Sequence, residues 1–206
     1  MAMRRAPAIG RLIGAGALAA SLLGPAAAST PDDALRLARA AVAAGDNKAG
    51  PFAVVDKRQA RVFVFGGDGA LRASSPVLLG LARGDASVPG IGERKMSEIR
   101  PEERTTPAGR FASEPGRNLS GEDIVWVDYD AAVSMHRVRP TVKAERRLER
   151  LATPTAADNR ITYGCINVPA AFYDAYVKPA LGARRGVVYV LPETSAQKSV
   201  FGFLGD

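Results

Sequence analysis

Two residue types that can together activate a nucleophile each occur once in the 206-residue chain: the cysteine is Cys165 and the histidine is His136. A free thiol is mostly protonated near neutrality and attacks well only as the thiolate, so a thiol and an imidazole form a nucleophile and its base wherever the fold brings them together. Cys165 lies in the stretch Ile161 to Val168, Ile-Thr-Tyr-Gly-Cys-Ile-Asn-Val, directly after Gly164 and between β-branched residues. A glycine there lets the backbone take a conformation closed to other residues and lets a substrate come close. Amides around such a turn can converge on one point, which is what an oxyanion needs. With one cysteine there is no internal disulfide, and an unpaired thiol in an exported chain is either reactive or intermolecular. Two plainer readings stand beside this one: a cysteine that only fills space, and a histidine satisfied by a backbone carbonyl.

Other chemistries fit the sequence less well. One His and one Cys fall short of the three or four ligands of a zinc site, so no metal and no cofactor is expected. No G-x-S-x-G elbow occurs. Ser195-Ala196-Gln197-Lys198 matches S-x-x-K but sits in the tail, with no S-D-N or K-T-G after it, and Asn118-Leu119-Ser120 is a glycosylation sequon of a kind that also arises by chance.

The elements that must position the pair follow from the rest of the chain. Residues 1–28 read as a secretory signal peptide: Arg4, Arg5 and Arg11 precede an apolar run from Leu12 to Leu23 and a small-residue cleavage site, Pro25-Ala26-Ala27-Ala28. The run is shorter than the roughly 20 residues that span a bilayer, so no stable membrane anchor is expected, and the compartment is the periplasm or cell envelope. Without this leader the charge is 25 basic minus 21 acidic residues, +4. The basic residues are scattered among acidic ones, which suits a protein near anionic envelope polymers and does not amount to a nucleic-acid footprint. The remaining 206 − 28 = 178 residues are one domain's worth.

Residues 29–50 form an N-terminal helix, with Thr30 as cap, Pro31 in the first turn, Asp33 at the capping-box position and Gly45-Asp46-Asn47 as its end. From Phe52 the period changes to strands: 52–55, 61–65 across a polar Asp56-Lys57-Arg58-Gln59 turn, 70–74 and 77–79, an antiparallel meander. Residues 82–104 have no period and read as a long loop with one helical turn. Two further strands follow, 123–129 with Ile124, Trp126 and Val127 inward, and 131–136, which ends on the histidine. Val142 to Leu151 is a charged amphipathic helix covering one side of the site. A short strand from Ile161 delivers Cys165, a helix begins at Pro169 and closes at Pro179 and Gly182, and Val187 to Leu191 is a central strand. Residues 193–206 are a weakly patterned tail.

Taken in order, the strands from Phe52, the Thr106-Pro107-Ala108-Gly109 turn, the strand ending in His136 and Tyr163-Gly164-Cys165-Ile166-Asn167 resemble the L,D-transpeptidase catalytic domain, the YkuD fold, over roughly Phe52 to Leu191. The resemblance implies a mostly β fold with flanking helices, a β-sandwich or barrel over 51–192. It also implies a cysteine acyltransferase acting on peptidoglycan stem peptides through a thioester. Carried over residue by residue, Cys165 is the nucleophile and His136 the base, the backbone around Arg137 orients the imidazole, and the amides of Gly164 and Cys165 line the oxyanion site. Thr106, Arg137 and Asn167 are the implied substrate contacts. The chain departs from the family's Ser/Thr-His-Gly-Cys, having Tyr163 where that histidine stands, and its spacer from His136 to Cys165 is longer, consistent with a lid. A hydrolase using water to resolve the thioester, and a catalytically silent wall-binding protein, are the alternative readings. The acceptor and the oligomeric state are not legible.

Overall fold

The computed structural model describes residues 31–204; the basic leader, its cleavage site and Thr30 lie outside the described residues. Ten strands form the body: β1 (Phe52–Asp56), β2 (Arg61–Phe65), β3 (Leu71–Pro76), β4 (Leu79–Gly80), β5 (Gly109–Arg117), β6 (Asp123–Asp128), β7 (Val133–Arg137), β8 (Arg160–Thr162), β9 (Ile166–Val168) and β10 (Gly186–Leu191). Eight of them make one sheet in the order β3-β2-β1-β10-β5-β6-β7-β9, and β4 pairs β8. Leu78, between β3 and β4, exchanges both backbone hydrogen bonds with Asn167 of β9, each 2.9 Å. That bridge brings the two ends of the sheet together into a nearly closed barrel. The mostly β architecture with flanking helices is therefore the one that the resemblance implies.

The meander extends less far than the sequence suggests, because β1 pairs β10 in parallel and only β1, β2 and β3 form it. Both faces of β1 are buried, which is why it reads as a continuous apolar run. Ala53 and Val55 face a core with Val125, Val127, Met135, Ile166, Val188 and Val190, closed by Tyr173, Val177 and Leu181. Phe52 and Val54 face a second core, covered by α1 (Pro31–Ala43) through Ala34, Leu37, Ala38 and Ala41 and by Phe201 of the tail. Each large side chain moved from water into such a core contributes about 1.5–3 kcal/mol. On β6 the inward residues are Val125 and Val127; Trp126 is half-exposed on the other face, against Tyr129, with ring centroids 5.0 Å apart.

Three further differences matter for the site. The 82–104 loop contains three single 3₁₀ turns, Ile91–Glu93, Met96–Glu98 and Pro101–Glu103. The helix expected over 142–151 is a 3₁₀ turn, Lys143–Glu145, followed after Arg146 by α2 (Arg147–Ala152). Arg146 takes φ 49, a left-handed value that breaks the helix in two. The segment after β9 runs as α3 (Ala170–Phe172), a π-helical turn (Tyr173–Val177) and α4 (Lys178–Leu181). Pro179 does not end this segment but sits in its last turn. It has no N–H to donate back, and the wider turn before it accommodates that loss. Among the described residues no helix is long and apolar enough to cross a membrane.

Candidate active site

β7 and β9 lie side by side and parallel, and their register sets His136 directly beside Asn167, two residues past Cys165. The strands thus carry thiol and imidazole to the same end of the barrel. Between β8 and β9 the chain turns at Thr162 to Cys165. Gly164 has φ 130, and a Cβ there would lie 2.9 Å from the Thr105 carbonyl oxygen, so the turn requires glycine on both counts. Thr162 braces it from inside: its hydroxyl donates to the Cys165 carbonyl (2.7 Å) and accepts from the Gly164 amide (3.1 Å). The Gly164 N–H is therefore already spent, which corrects its expected place in an oxyanion site.

Cys165 is half-buried, reachable at its surface yet surrounded by protein. Its Sγ lies 3.7 Å from the Ser134 hydroxyl and 3.6 Å from the Ala132 carbonyl. Burial pushes the thiol up, but the His136 imidazole beside it and Ser134 more than offset that, so the thiol sits below its ordinary value. For His136, burial pushes the imidazole down, while the Cys165 sulfur and the Arg137 carbonyl more than offset it; Arg147 opposes them. Both directions favour passing a proton from sulfur to ring.

The ring is held at both nitrogens, and its tautomer follows from what the partners can do. Nδ1 is 2.8 Å from the Arg137 carbonyl, which can only accept, so Nδ1 carries the proton. At the other end Arg147 Nη1 donates to Asn167 Oδ1 at 2.5 Å. A guanidinium has no acceptor, so the Asn167 oxygen faces it and the amide Nδ2 faces His136 Nε2, 3.1 Å away. Donation runs one way along the chain, Arg147 to Asn167 to His136 to the Arg137 carbonyl. Nε2 is thereby an unprotonated acceptor.

The residues expected to touch substrate have other partners. Thr106 is fully buried, and its hydroxyl donates to the Gly164 carbonyl (2.7 Å) and accepts from the Gly80 amide (2.9 Å). Asn167 is 1% exposed. The Arg137 side chain turns away to Asp123 and Asp174 and stacks over Tyr173, leaving only its carbonyl at the ring. All three support the site from behind. Tyr163 is half-buried, with the Arg104 guanidinium 3.8 Å above its ring.

Ser134 and Arg104 carry no motif signal of a place in the site, and Arg147 is marked there only as one of the charged residues, with Arg146, Glu149 and Arg150, of the segment covering it. Ser134 is two residues before His136 on the same strand, so the period-two alternation already puts both on one face. For the two arginines nothing local marks the approach. Among the described residues no group of three or more His, Cys, Asp or Glu could hold a metal ion. A cavity of about 570 Å³ lies elsewhere, between Arg58 and Arg61 on one side and Leu151 and Asn159 on the other.

No protein-family model and no curated protein matches the chain. Among solved structures it is similar to an L,D-transpeptidase from Enterococcus faecium, at 17% identity over 69% of this chain and 50% of that one, with a TM-score of 0.36. It is also similar to the helical cell shape determining protein Pgp2 from Campylobacter jejuni (13% identity, 79% and 58% covered, TM-score 0.47). A third is an L,D-transpeptidase from Mycobacterium smegmatis (19%, 68% and 58%, TM-score 0.37). The chain spans only about half to three fifths of the length of these proteins. The likenesses are distant, and what the site can do rests on its own geometry.

Proposed function

We propose that the chain is an exported cysteine acyltransferase of the L,D-transpeptidase type that remodels peptidoglycan by acting on its stem peptides in the periplasm or cell envelope. The observation that carries this reading is a half-buried thiol beside an imidazole whose ring is held at both nitrogens with Nε2 left unprotonated. That arrangement suits nucleophilic acyl transfer.

In the reaction, the Asn167 N–H gives way at His136 Nε2, which takes the Cys165 proton, and the thiolate attacks a stem-peptide carbonyl carbon. The carbon–nitrogen bond breaks, the imidazolium gives its proton to the departing amine, and a thioester on Sγ remains. An acceptor amine of a neighbouring stem then attacks the thioester and loses its proton to the imidazole, and the sulfur leaves and is reprotonated. Positioning and proton transfer supply the acceleration, the latter typically 10²–10⁴-fold.

Mass spectrometry of the protein after incubation with a carbapenem tests this reading. The expected result is a covalent adduct that is absent in Cys165→Ala and forms about 10²-fold or more slowly in His136→Ala. No adduct, with iodoacetamide alkylation of Cys165 no faster than that of a free thiol, would sink the acyltransferase reading.

A further inference from the structure

Taking the thiol proton places a hydrogen on both ring nitrogens of His136, because Nδ1 already carries one for the Arg137 carbonyl. The new N–H is on Nε2 and points at Asn167 Nδ2, itself a donor, 3.1 Å away. Two donors then face each other. The conflict disappears if the Asn167 amide turns over so that Oδ1 accepts from Nε2. Its backbone cannot help, being tied to Leu78 through both N–H and C=O. The side chain is held the wrong way round by Arg147, a donor with nothing to offer a turned amide but another N–H.

Arg147 is itself fixed. Glu145 Oε2 takes its Nε at 2.6 Å, leaving Nη1 for Asn167, and the Arg147 side chain is only 16% exposed. α2, which carries it, is anchored through Leu151 in a small core with Leu78 and Val138, against Ile161. The segment between the histidine and the cysteine therefore reaches the base through a single buried amide. The other groups facing the ring are the Cys165 sulfur and the Arg137 carbonyl, which both favour the imidazolium.

We infer that Arg147 is a positioning residue that acts through Asn167 to bias His136 towards its neutral tautomer, so that the thiolate–imidazolium pair forms more readily once Arg147 releases the amide. Arg147 restrains the base at rest, and its removal makes the cysteine more reactive. This inference rests on the Cys165–His136 dyad proposed above.

The test is the iodoacetamide alkylation rate of Cys165 against pH in the full chain. In Arg147→Ala the profile is expected to move to lower pH, with the rate below the thiol's titration up about tenfold and the high-pH plateau unchanged. Arg147→Lys keeps a cationic donor and retains the parent profile. In an Asn167→Ala background, Arg147→Ala produces no further shift, which separates action through the amide from a direct charge effect. An Arg147→Ala profile that is unchanged or moves to higher pH, while His136→Ala still alters the parent's, overturns the inference and leaves the dyad standing. If His136→Ala has the parent's profile, the dyad falls and this inference with it.

Discussion

At the scale of single residues, Gly164 is the position where geometry leaves no latitude. A side chain there meets two separate penalties, the left-handed φ of 130 and a backbone oxygen 2.9 Å from the new Cβ. Gly164→Ala is expected to destabilise the protein by about 1–3 kcal/mol and to slow carbapenem acylation by tenfold or more, since the turn that aims the sulfur must shift. Gly90 is the control: φ is 72 and no atom lies within 4 Å, so Gly90→Ala costs about 1 kcal/mol and leaves acylation unchanged. Urea unfolding and adduct formation measured together check both, and equal acylation in the two variants would remove Gly164 from its role. Cys165, His136 and Gly164 were legible in the sequence because each is unique or sits beside a residue that is. Their neighbours are less so: nothing in the sequence puts the Thr106 hydroxyl against the Gly164 carbonyl, and only strand alternation places Ser134 on the histidine's face.

At the scale of elements, the 82–104 loop shows how an aperiodic stretch can be ordered. Glu103 gathers it: Arg94 and Arg100 donate to its carboxylate, as does the Arg100 amide at 2.9 Å, and they hold its pKa down to about 2 from 4.5. The next residue, Arg104, donates to the Ile99 carbonyl and stacks on Tyr163 in the turn that leads to Cys165. A carboxylate whose pKa is lowered by folding contributes order that is present above about 4.5 and is lost as pH falls towards about 2. Pepsin cleavage within this loop should therefore rise across that window. Glu103→Gln should produce the same loosening at neutral pH, read as faster tryptic cleavage after Lys95. A variant as resistant as the parent at neutral pH would show that the clamp does not order the loop. The sequence showed Gly and Pro here and mixed charge, enough to exclude a long helix. What it could not show is which charges meet, because side chains three and nine residues apart converge only once the three turns form. The covering segment followed the same rule: Val142 to Leu151 was expected as one helix and is broken at Arg146, while the feature that reaches the site is the single arginine after the break.

At the scale of the whole molecule, the least expected feature is Lys57, read from sequence as part of a polar turn and in fact 1% exposed. Its ammonium donates to Asp85 at 2.8 Å and to the Thr106 carbonyl at 3.0 Å, and lies 3.9 Å from Glu193, which also pairs with Arg160 at 2.6 Å. Asp85 in turn accepts from the Glu193, Thr194 and Ser195 amides. One buried cluster thus ties together the β1–β2 turn, the long loop, β8 and the start of the tail, four parts of the chain far apart in sequence. Local pattern cannot reveal this, since a lysine between Asp56 and Arg58 has the ordinary appearance of a solvated turn. Burial pushes the ammonium's pKa down, and Asp85 and Glu193 raise it only in part. Burying an ion pair is often near neutral overall, but removing one partner strands the other, at a cost of about 3–5 kcal/mol. Lys57→Met is therefore expected to lose about that much in urea unfolding with the slope unchanged. Because Lys57 holds the Thr106 carbonyl while the Thr106 hydroxyl holds Gly164, the variant should also acylate more slowly than its residual stability alone accounts for. A loss below 1 kcal/mol would mean that water solvates the stranded Asp85 and that the cluster does not bind these four parts together; full stability loss with normal acylation would confine its role to the fold.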